Sequence, residues 1–72
     1  MGKLPVVLSK FAKKLRAERA RRGMSQESLA MSAGLSRNYI GMIERGEANL
    51  TLGTIERIAD ALRVEGWELL RF

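Results

Sequence analysis

The sequence predicts an all-α fold, a compact bundle of five short helices in one domain over residues 1–72. In separate segments, apolar residues recur at spacings of three and four, the period of helices that bury one face. Most of these segments follow a serine or threonine or end at a glycine, the residues that begin and end helices. The chain shows no internal repeat that would point to another architecture.

A chain of 72 residues can bury only a small core. It has no cysteine and no histidine, which excludes disulfides and a zinc site as further sources of stability. Association with a second subunit is the remaining way to stabilise so small a domain. We therefore expect a homodimer, with neither a metal nor a cofactor.

The first helix is predicted over residues 9–22, with Ser9 as its N-cap and Gly23 just beyond its last turn. One face of this helix carries Phe11, Ala12, Leu15 and Arg19. The other faces are charged, so the helix covers the core rather than filling it. Pro5 marks a short N-terminal arm before the helix.

Two short helices are predicted next, joined by a tight turn. Ser25 caps a helix over residues 26–33, and Ser36 caps a helix over residues 37–45 that Gly46 closes. The connection is Gly34-Leu35-Ser36, a three-residue turn containing glycine. This arrangement is typical of a helix-turn-helix, here spanning about residues 25–46.

The C-terminal third predicts two further helices. Thr51 caps a fourth helix over residues 52–62, whose apolar face carries Leu52, Ile55, Ile58, Ala59 and Leu62. A short fifth helix is expected near residues 66–70. The tail is too apolar to be a disordered end, and its predicted dimer-interface residues are Val64, Trp67, Leu70 and Phe72. Complete burial of the tail within the monomer stays open as the alternative.

Charge is distributed unevenly along the chain. Residues 1–24 contain eight basic residues and one acidic residue, whereas residues 25–72 contain five basic and seven acidic residues. A basic segment joined to a nearly neutral body favours a polyanionic partner, and nucleic acid ahead of a membrane surface. A well-solvated helix face would give the same composition.

The outer face of the third helix carries the side chains that could read bases. Ile40 and Ile43 point inward on the helical wheel, and the opposite side carries Arg37, Asn38 and Met42. A guanidinium can bind guanine O6 and N7, an amide suits adenine, and a thioether can touch a thymine methyl. We predict these three as base-reading residues; alternatively, Arg37 and Asn38 are ordinary solvated residues of a first turn.

A second group of residues is predicted to bind phosphate. Gln26 opens the second helix, where unpaired N–H groups and the helix dipole favour an anion. Tyr39 can donate to a phosphate, pack its ring beside the second helix, or do both. The predicted phosphate contacts are Lys14, Arg22, Ser25, Gln26, Tyr39 and Arg45, although each basic residue could equally be a plain surface charge.

Three residues of this region have a different interpretation. Arg19 lies on the inner side of the first helix and Glu44 near the end of the third. We predict a bidentate ion pair between them that fixes the third helix, the recognition helix of the helix-turn-helix, to the first helix. Gly41 is unusual inside a helix, and it indicates close approach either to DNA or to another helix.

The motifs together resemble a known family. The run Arg-Ala-Arg-Arg-Gly-Met-Ser-Gln-Glu-Ser-Leu-Ala over residues 19–30, and its continuation over residues 33–46, resemble the Cro and phage-repressor type helix-turn-helix family. Residues 58–64 look like its fourth helix, and the resemblance covers about residues 11–69. It implies a lambda-repressor-like five-helix domain that binds a palindromic operator in double-stranded DNA as a dimer. The resemblance also implies phosphate binding by Gln26, base reading by Arg37 and Asn38, and the Arg19–Glu44 bridge.

Within that family, residues 37–40, 43–46 and 49–52 resemble the controller proteins of restriction–modification systems. Those compact dimers time the expression of their own gene and of the endonuclease gene. The resemblance implies a transcriptional regulator of this kind, with RNA polymerase as a further partner. Small phage-type repressors and antitoxin-like regulators share most of these residues and stay open as alternatives.

Other function classes fit the sequence less well. The chain lacks histidine, cysteine and a glycine-rich phosphate loop, so we do not expect an enzyme. A protein-interaction module that binds through Trp67 and Phe72 without reading DNA is the alternative. The apolar run over residues 4–8 is too short for a signal-peptide core or a membrane span. We expect a bacterial or phage-encoded protein in the cytoplasm, with no membrane partner.

Overall fold

The computed structural model describes residues 6–72, and this part of the chain forms helices without any strand. Its five helices are α1 (Val6–Arg21), α2 (Gln26–Ala33), α3 (Arg37–Glu44), α4 (Leu52–Leu62) and α5 (Gly66–Leu69). The all-α prediction is confirmed. The bounds of α2 and α4 are those predicted, and α3 and α5 each end one residue earlier than predicted.

The start of α1 corrects the sequence analysis. The helix already includes Val6, so Ser9 lies inside the helix and is not its N-cap. A side-chain carbon at Gly46 would lie 3.8 Å from the Cα of Ser9, which shows that the chain after α3 packs against this turn. A capping rule does not include this tertiary contact. The arm predicted at Pro5 lies outside the described residues.

The predicted caps of the three central helices are confirmed. The side-chain oxygens of Ser25, Ser36 and Thr51 accept hydrogen bonds from the third residue beyond each, at 2.9, 3.0 and 3.0 Å. Each cap satisfies a backbone N–H that the helix itself leaves unpaired. Gly34 ends α2 with φ at +71°, a left-handed conformation that costs glycine little, so α3 can turn away from α2.

One apolar core connects all five helices. Helix α2 packs on α3 and α4, α1 packs on α3, and α5 packs on both α1 and α4. The largest fully buried side chains are Phe11, Leu15, Leu29, Ile40, Ile43, Ile58, Leu62 and Leu69. Leu52, predicted on the inner face of α4, is instead 78% exposed, because it is the first residue of the helix and lies beyond the packed elements.

A charged cluster around Glu18 links the C-terminal end of α1 to the C-terminal end of α4. The Glu18 side chain is buried; it accepts hydrogen bonds from Arg21 and Arg22 and lies 3.7 Å from the Nζ of Lys14. Arg22 also donates from Nε to the carbonyl of Leu62, the last residue of α4, at 2.8 Å. An arginine that binds the Glu18 carboxylate therefore also joins the end of α1 to the end of α4.

None of the helices within residues 6–72 has both the length and the apolar character needed to cross a membrane.

Candidate nucleic-acid interface

Helix α3 separates a buried face from an exposed face. Ile40 and Ile43 are 0% and 1% exposed and pack in the core, as predicted. Arg37 and Asn38, in the first turn, are both exposed. The first turn of α3 therefore presents a guanidinium and an amide to the surroundings, from a helix whose other side is fixed.

Two further α3 residues are only partly accessible. The half-buried Tyr39 ring packs against the core, while its hydroxyl donates to the carbonyl of Asn49 at 3.2 Å. The half-buried Met42 also packs against the core. The position of Met42 thus gives its predicted base contact less support than the exposure of Arg37 and Asn38 gives theirs.

Glu44 is the point at which three helices meet. Its carboxylate accepts two hydrogen bonds from Arg19, on α1, at 2.7 and 2.9 Å, which is the predicted bidentate pair. It also accepts one from the Nε2 of Gln26, on α2, at 3.0 Å. The backbone carbonyl of Glu44 accepts a hydrogen bond from Arg16. The end of α3 is thereby held to α1 and α2.

The contacts of Glu44 also fix its ionisation. Burial opposes the charged form, but the hydrogen bonds from Arg19 and Gln26 outweigh it and hold the pKa of Glu44 below its ordinary value. The same pair raises the pKa of Arg19. At neutral pH the carboxylate is therefore charged and accepts three hydrogen bonds from within the protein, which suits the structural role predicted for it.

The N-terminus of α2 lies next to this junction. Ser25 and Gln26 open α2, and the amide of Gln26 reaches Glu44 with one of its two N–H groups. The second N–H remains for an outside acceptor. Because the free N–H groups of a helix N-terminus favour anions, the start of α2 is chemically suited to a phosphate.

The predicted phosphate contacts do not all lie on this surface. Lys14 and Arg22 surround Glu18 and line a groove with the α5 residue Leu69. The hydrogen bond from Arg21 is the main influence that lowers the pKa of Glu18, despite its burial. Both predicted contacts thus already bind an internal carboxylate, whereas Gln26 and Tyr39 belong to α2 and α3, and Ser25 and Arg45 cap these two helices.

Sequence reasoning missed two structural residues. Arg16, one of the eight basic residues of the N-terminal segment, donates to the last carbonyl of α3, and Glu18 is the buried centre of a cluster. Glu18 carried a signal: it is the single acid among the basic residues of α1, with Lys14 four residues before it and Arg22 four residues after it. The contact of Arg16 joins residues 28 positions apart, and no local pattern indicates it.

The C-terminal tail is divided between core and surface. Leu69 is fully buried and Val64 packs against the core. Trp67, Leu70 and Phe72 are 60%, 39% and 53% exposed. Complete burial of the tail in the monomer is therefore excluded, and an apolar surface remains at the α5 end of the molecule.

Two short helices joined by a three-residue turn, with exposed polar residues at the start of the second, define a helix-turn-helix protein. The helix-turn-helix family model matches residues 15–66, and the chain belongs to this family. It is similar to control protein C.BamHI of Bacillus amyloliquefaciens, at 46% identity over 63 residues that cover 86% of this chain and 78% of that protein. It is 44% identical over 60 residues to control protein C.SmaI of Serratia marcescens, covering 83% and 71%.

Other relatives extend this comparison. A hypothetical transcription factor of Neisseria meningitidis is 42% identical over 60 residues, and the match spans 57% of its length. The crystal structure of the restriction–modification controller protein C.AhdI from Aeromonas hydrophila matches with a TM-score of 0.87 at 45% identity, covering 90% of this chain and 98% of that one. The C.Esp1396I controller tetramer, in complex with its natural 35-base-pair operator, matches with a TM-score of 0.84 at 38% identity, covering 92% and 91%. The predicted resemblance to restriction–modification controller proteins is confirmed.

Proposed function

We propose that this protein is a transcriptional regulator that binds a palindromic DNA operator as a homodimer and controls a restriction–modification system. The observation that carries the proposal is the first turn of α3. Arg37 and Asn38 are exposed there, on a helix whose far end is fastened by the Glu44 contacts. A rigid helix with a guanidinium and an amide at its N-terminus suits the reading of guanine and adenine edges in the major groove.

Phosphate contacts would position this helix on the duplex. We propose Ser25, Gln26, Tyr39 and Arg45 for that role. Ser25 and Gln26 begin α2 beside Glu44, and Arg45 caps the C-terminus of α3. The Tyr39 hydroxyl would exchange its hydrogen bond to the Asn49 carbonyl for one to phosphate. Lys14 and Arg22, which bind Glu18, would contribute long-range attraction rather than direct contacts. Met42 remains a predicted base contact, through its thioether and a thymine methyl.

Dimerisation would use the C-terminal apolar surface. Trp67, Leu70 and Phe72 expose apolar groups that a second copy can cover, and Val64 lies at the edge of this surface. A two-fold axis there makes the contact self-complementary. It would set two α3 helices about one DNA turn apart, roughly 34 Å, so that both enter the same side of the duplex.

The controller role is favoured by the relatives. Control proteins match most of this chain, and one controller relative was solved on its natural operator as a tetramer. We propose that this protein activates transcription at low site occupancy, through contact with RNA polymerase, and represses it at higher occupancy. The protein would act on DNA in the bacterial cytoplasm.

The test is selection of a binding site from a random-sequence DNA pool, followed by mobility-shift titration at several salt concentrations. Wild type should enrich a palindrome, and Arg37→Ala and Asn38→Ala should lose preference for it while keeping salt-dependent binding to unrelated duplex. Arg63→Asn is the control: it removes a positive charge outside α3, at a left-handed position that asparagine tolerates. Unchanged preference in both α3 variants would contradict base reading by α3, and no enriched sequence would favour a protein-interaction module.

A further inference from the structure

The space beside Gly41 is occupied by the guanidinium of Arg45. A side-chain carbon at position 41 would lie 3.2 Å from the Nη1 of Arg45, closer than the usual van der Waals separation. Leaving aside the two chain neighbours of Gly41 and the surrounding helix backbone, that guanidinium nitrogen is the sole atom of residues 6–72 within 4 Å of such a carbon. Within the described residues, contact with another helix therefore does not account for this glycine, and the Arg45 guanidinium is the group that a methyl group at position 41 would displace.

The carboxylate of Glu47 forms an ion pair with the same guanidinium. Its Oε1 lies 3.1 Å from the Nε of Arg45, and both side chains are more than half exposed. The backbone N–H of Glu47 donates to the carbonyl of Met42 at 2.9 Å, which fixes Glu47 relative to α3. Within the described residues the terminal nitrogens of Arg45 have no hydrogen-bond partner, so they can bind a pair of outside acceptors.

We propose that Gly41 is a positioning residue for a third base-reading side chain, that of Arg45. Arg45 follows the last residue of α3, but its side chain folds back by one turn, roughly 5.4 Å, to the level of Gly41. There the guanidinium lies in the same row as Arg37. The inference rests on the proposed function and deepens it, because it changes the role of Arg45 from phosphate contact to base contact.

The ligand that this arrangement fits is the major-groove edge of a guanine. Guanine presents O6 and N7 side by side, which matches two parallel N–H groups of a guanidinium. The carboxylate of Glu47 beside Arg45 repels a phosphate, whereas the guanine edge carries no net charge. Glu47 therefore orients Arg45 and at the same time favours a base over the DNA backbone.

A double-mutant cycle tests the positioning role. Gly41→Ala, Arg45→Ala and the double variant are compared for affinity toward the duplex that wild type enriches from a random pool. Alanine at position 41 suits a helix better than glycine, so Gly41→Ala should unfold at a higher urea concentration. It should nevertheless bind the enriched duplex about tenfold more weakly, the size of one good base contact. In the Arg45→Ala background the same change should cost almost nothing.

A salt titration separates base contact from phosphate contact. Arg45→Ala should lower affinity for the enriched duplex while leaving affinity for unrelated duplex, and the slope of binding against salt, nearly unchanged. A slope reduced by about one, with equal loss on both duplexes, would assign Arg45 to phosphate and overturn the base-reading role.

Other outcomes separate this inference from the proposed function. An equal loss from Gly41→Ala in both backgrounds would mean that the methyl group clashes directly with DNA, and no loss in either would mean that Gly41 is unrelated to binding. Both results overturn the positioning role while the regulator function stands. Failure of wild type to enrich any sequence would overturn the function itself, and this inference with it.

Discussion

Arg19 binds both oxygens of the Glu44 carboxylate, with Nε 2.7 Å from Oε2 and Nη2 2.9 Å from Oε1. The Glu44 side chain is only 3% exposed, so the pair is largely shielded from water. Arg19 also donates to the carbonyl of Met24 at 2.8 Å. One arginine therefore fixes the end of the recognition helix and the connection between α1 and α2.

Removal of the charge from Glu44 should destabilise the fold. We expect Glu44→Gln to lower the free energy of unfolding by about 3 kcal/mol, because it leaves the Arg19 guanidinium without its anion. Urea denaturation measures this value. Glu56→Gln makes the same change at an exposed position of α4 and should stay within about 0.5 kcal/mol of wild type. Similar small losses in both variants would show that the pair contributes little.

Acid should unfold the protein through Glu44 and Glu18. The folded state lowers the pKa of both below the ordinary carboxyl value of about 4.3, so the unfolded chain binds protons first. The stability that these two carboxylates contribute to the fold is therefore fully present above that pH. It is lost as the pH falls through their lower pKa values in the folded state. Urea midpoints measured from neutral pH to pH 3 should fall steeply for wild type and less steeply for Glu18→Gln/Glu44→Gln. Equal steepness in the two proteins would exclude these carboxylates as the cause.

Substitution of two neighbouring leucines should affect two different properties, the stability of the fold and the affinity of the dimer. Leu69 is fully buried, and Leu69→Ala should lower the free energy of unfolding by about 2–5 kcal/mol at every protein concentration. Leu70 is 39% exposed on the proposed dimer surface, and Leu70→Ala should raise the dimer dissociation constant about tenfold.

Sedimentation equilibrium measures the dimer dissociation constant. Met31→Ala, which removes an exposed apolar side chain from α2, is the control and should leave association unchanged. If Leu70→Ala associates as wild type does, the C-terminal surface is not the dimer interface.

Gln26 should affect DNA affinity without affecting sequence preference. Its amide binds Glu44 with one N–H, and we propose that the other binds phosphate. Gln26→Ala should weaken binding to enriched and unrelated duplexes by a similar factor, about tenfold, with the salt slope unchanged because no charge is lost. Ser32→Ala, at an exposed position of α2, is the control in the same mobility-shift titration. Loss confined to the enriched duplex would instead make Gln26 a base reader.

The local architecture could be predicted from the sequence because its causes are local. Ser25, Ser36 and Thr51 each bind a backbone N–H three residues away, and the apolar spacing that predicts α2 and α4 repeats within one or two turns. The exposed positions of Arg37 and Asn38 follow from the same spacing, since the buried Ile40 and Ile43 define the opposite face. The Arg19–Glu44 pair joins distant residues, and its prediction drew also on the resemblance to the Cro and phage-repressor type family, which implies this bridge.

Which residues pack against each helical face depends on the tertiary structure. Leu69 is buried and Leu70 is not because α5 packs on α1 and α4. Arg22 binds Glu18 and the end of α4, although its sequence position suited a phosphate equally well. The Arg45 guanidinium lies beside Gly41, with its Nε 3.1 Å from the Oε1 of Glu47, and no local pattern indicates either contact. The bounds of α2 and α4, the caps of α2, α3 and α4, and the outward face of α3 could be predicted from the sequence, because they depend on neighbours along the chain. The roles of the other charged and apolar side chains depend on residues that only folding brings near them.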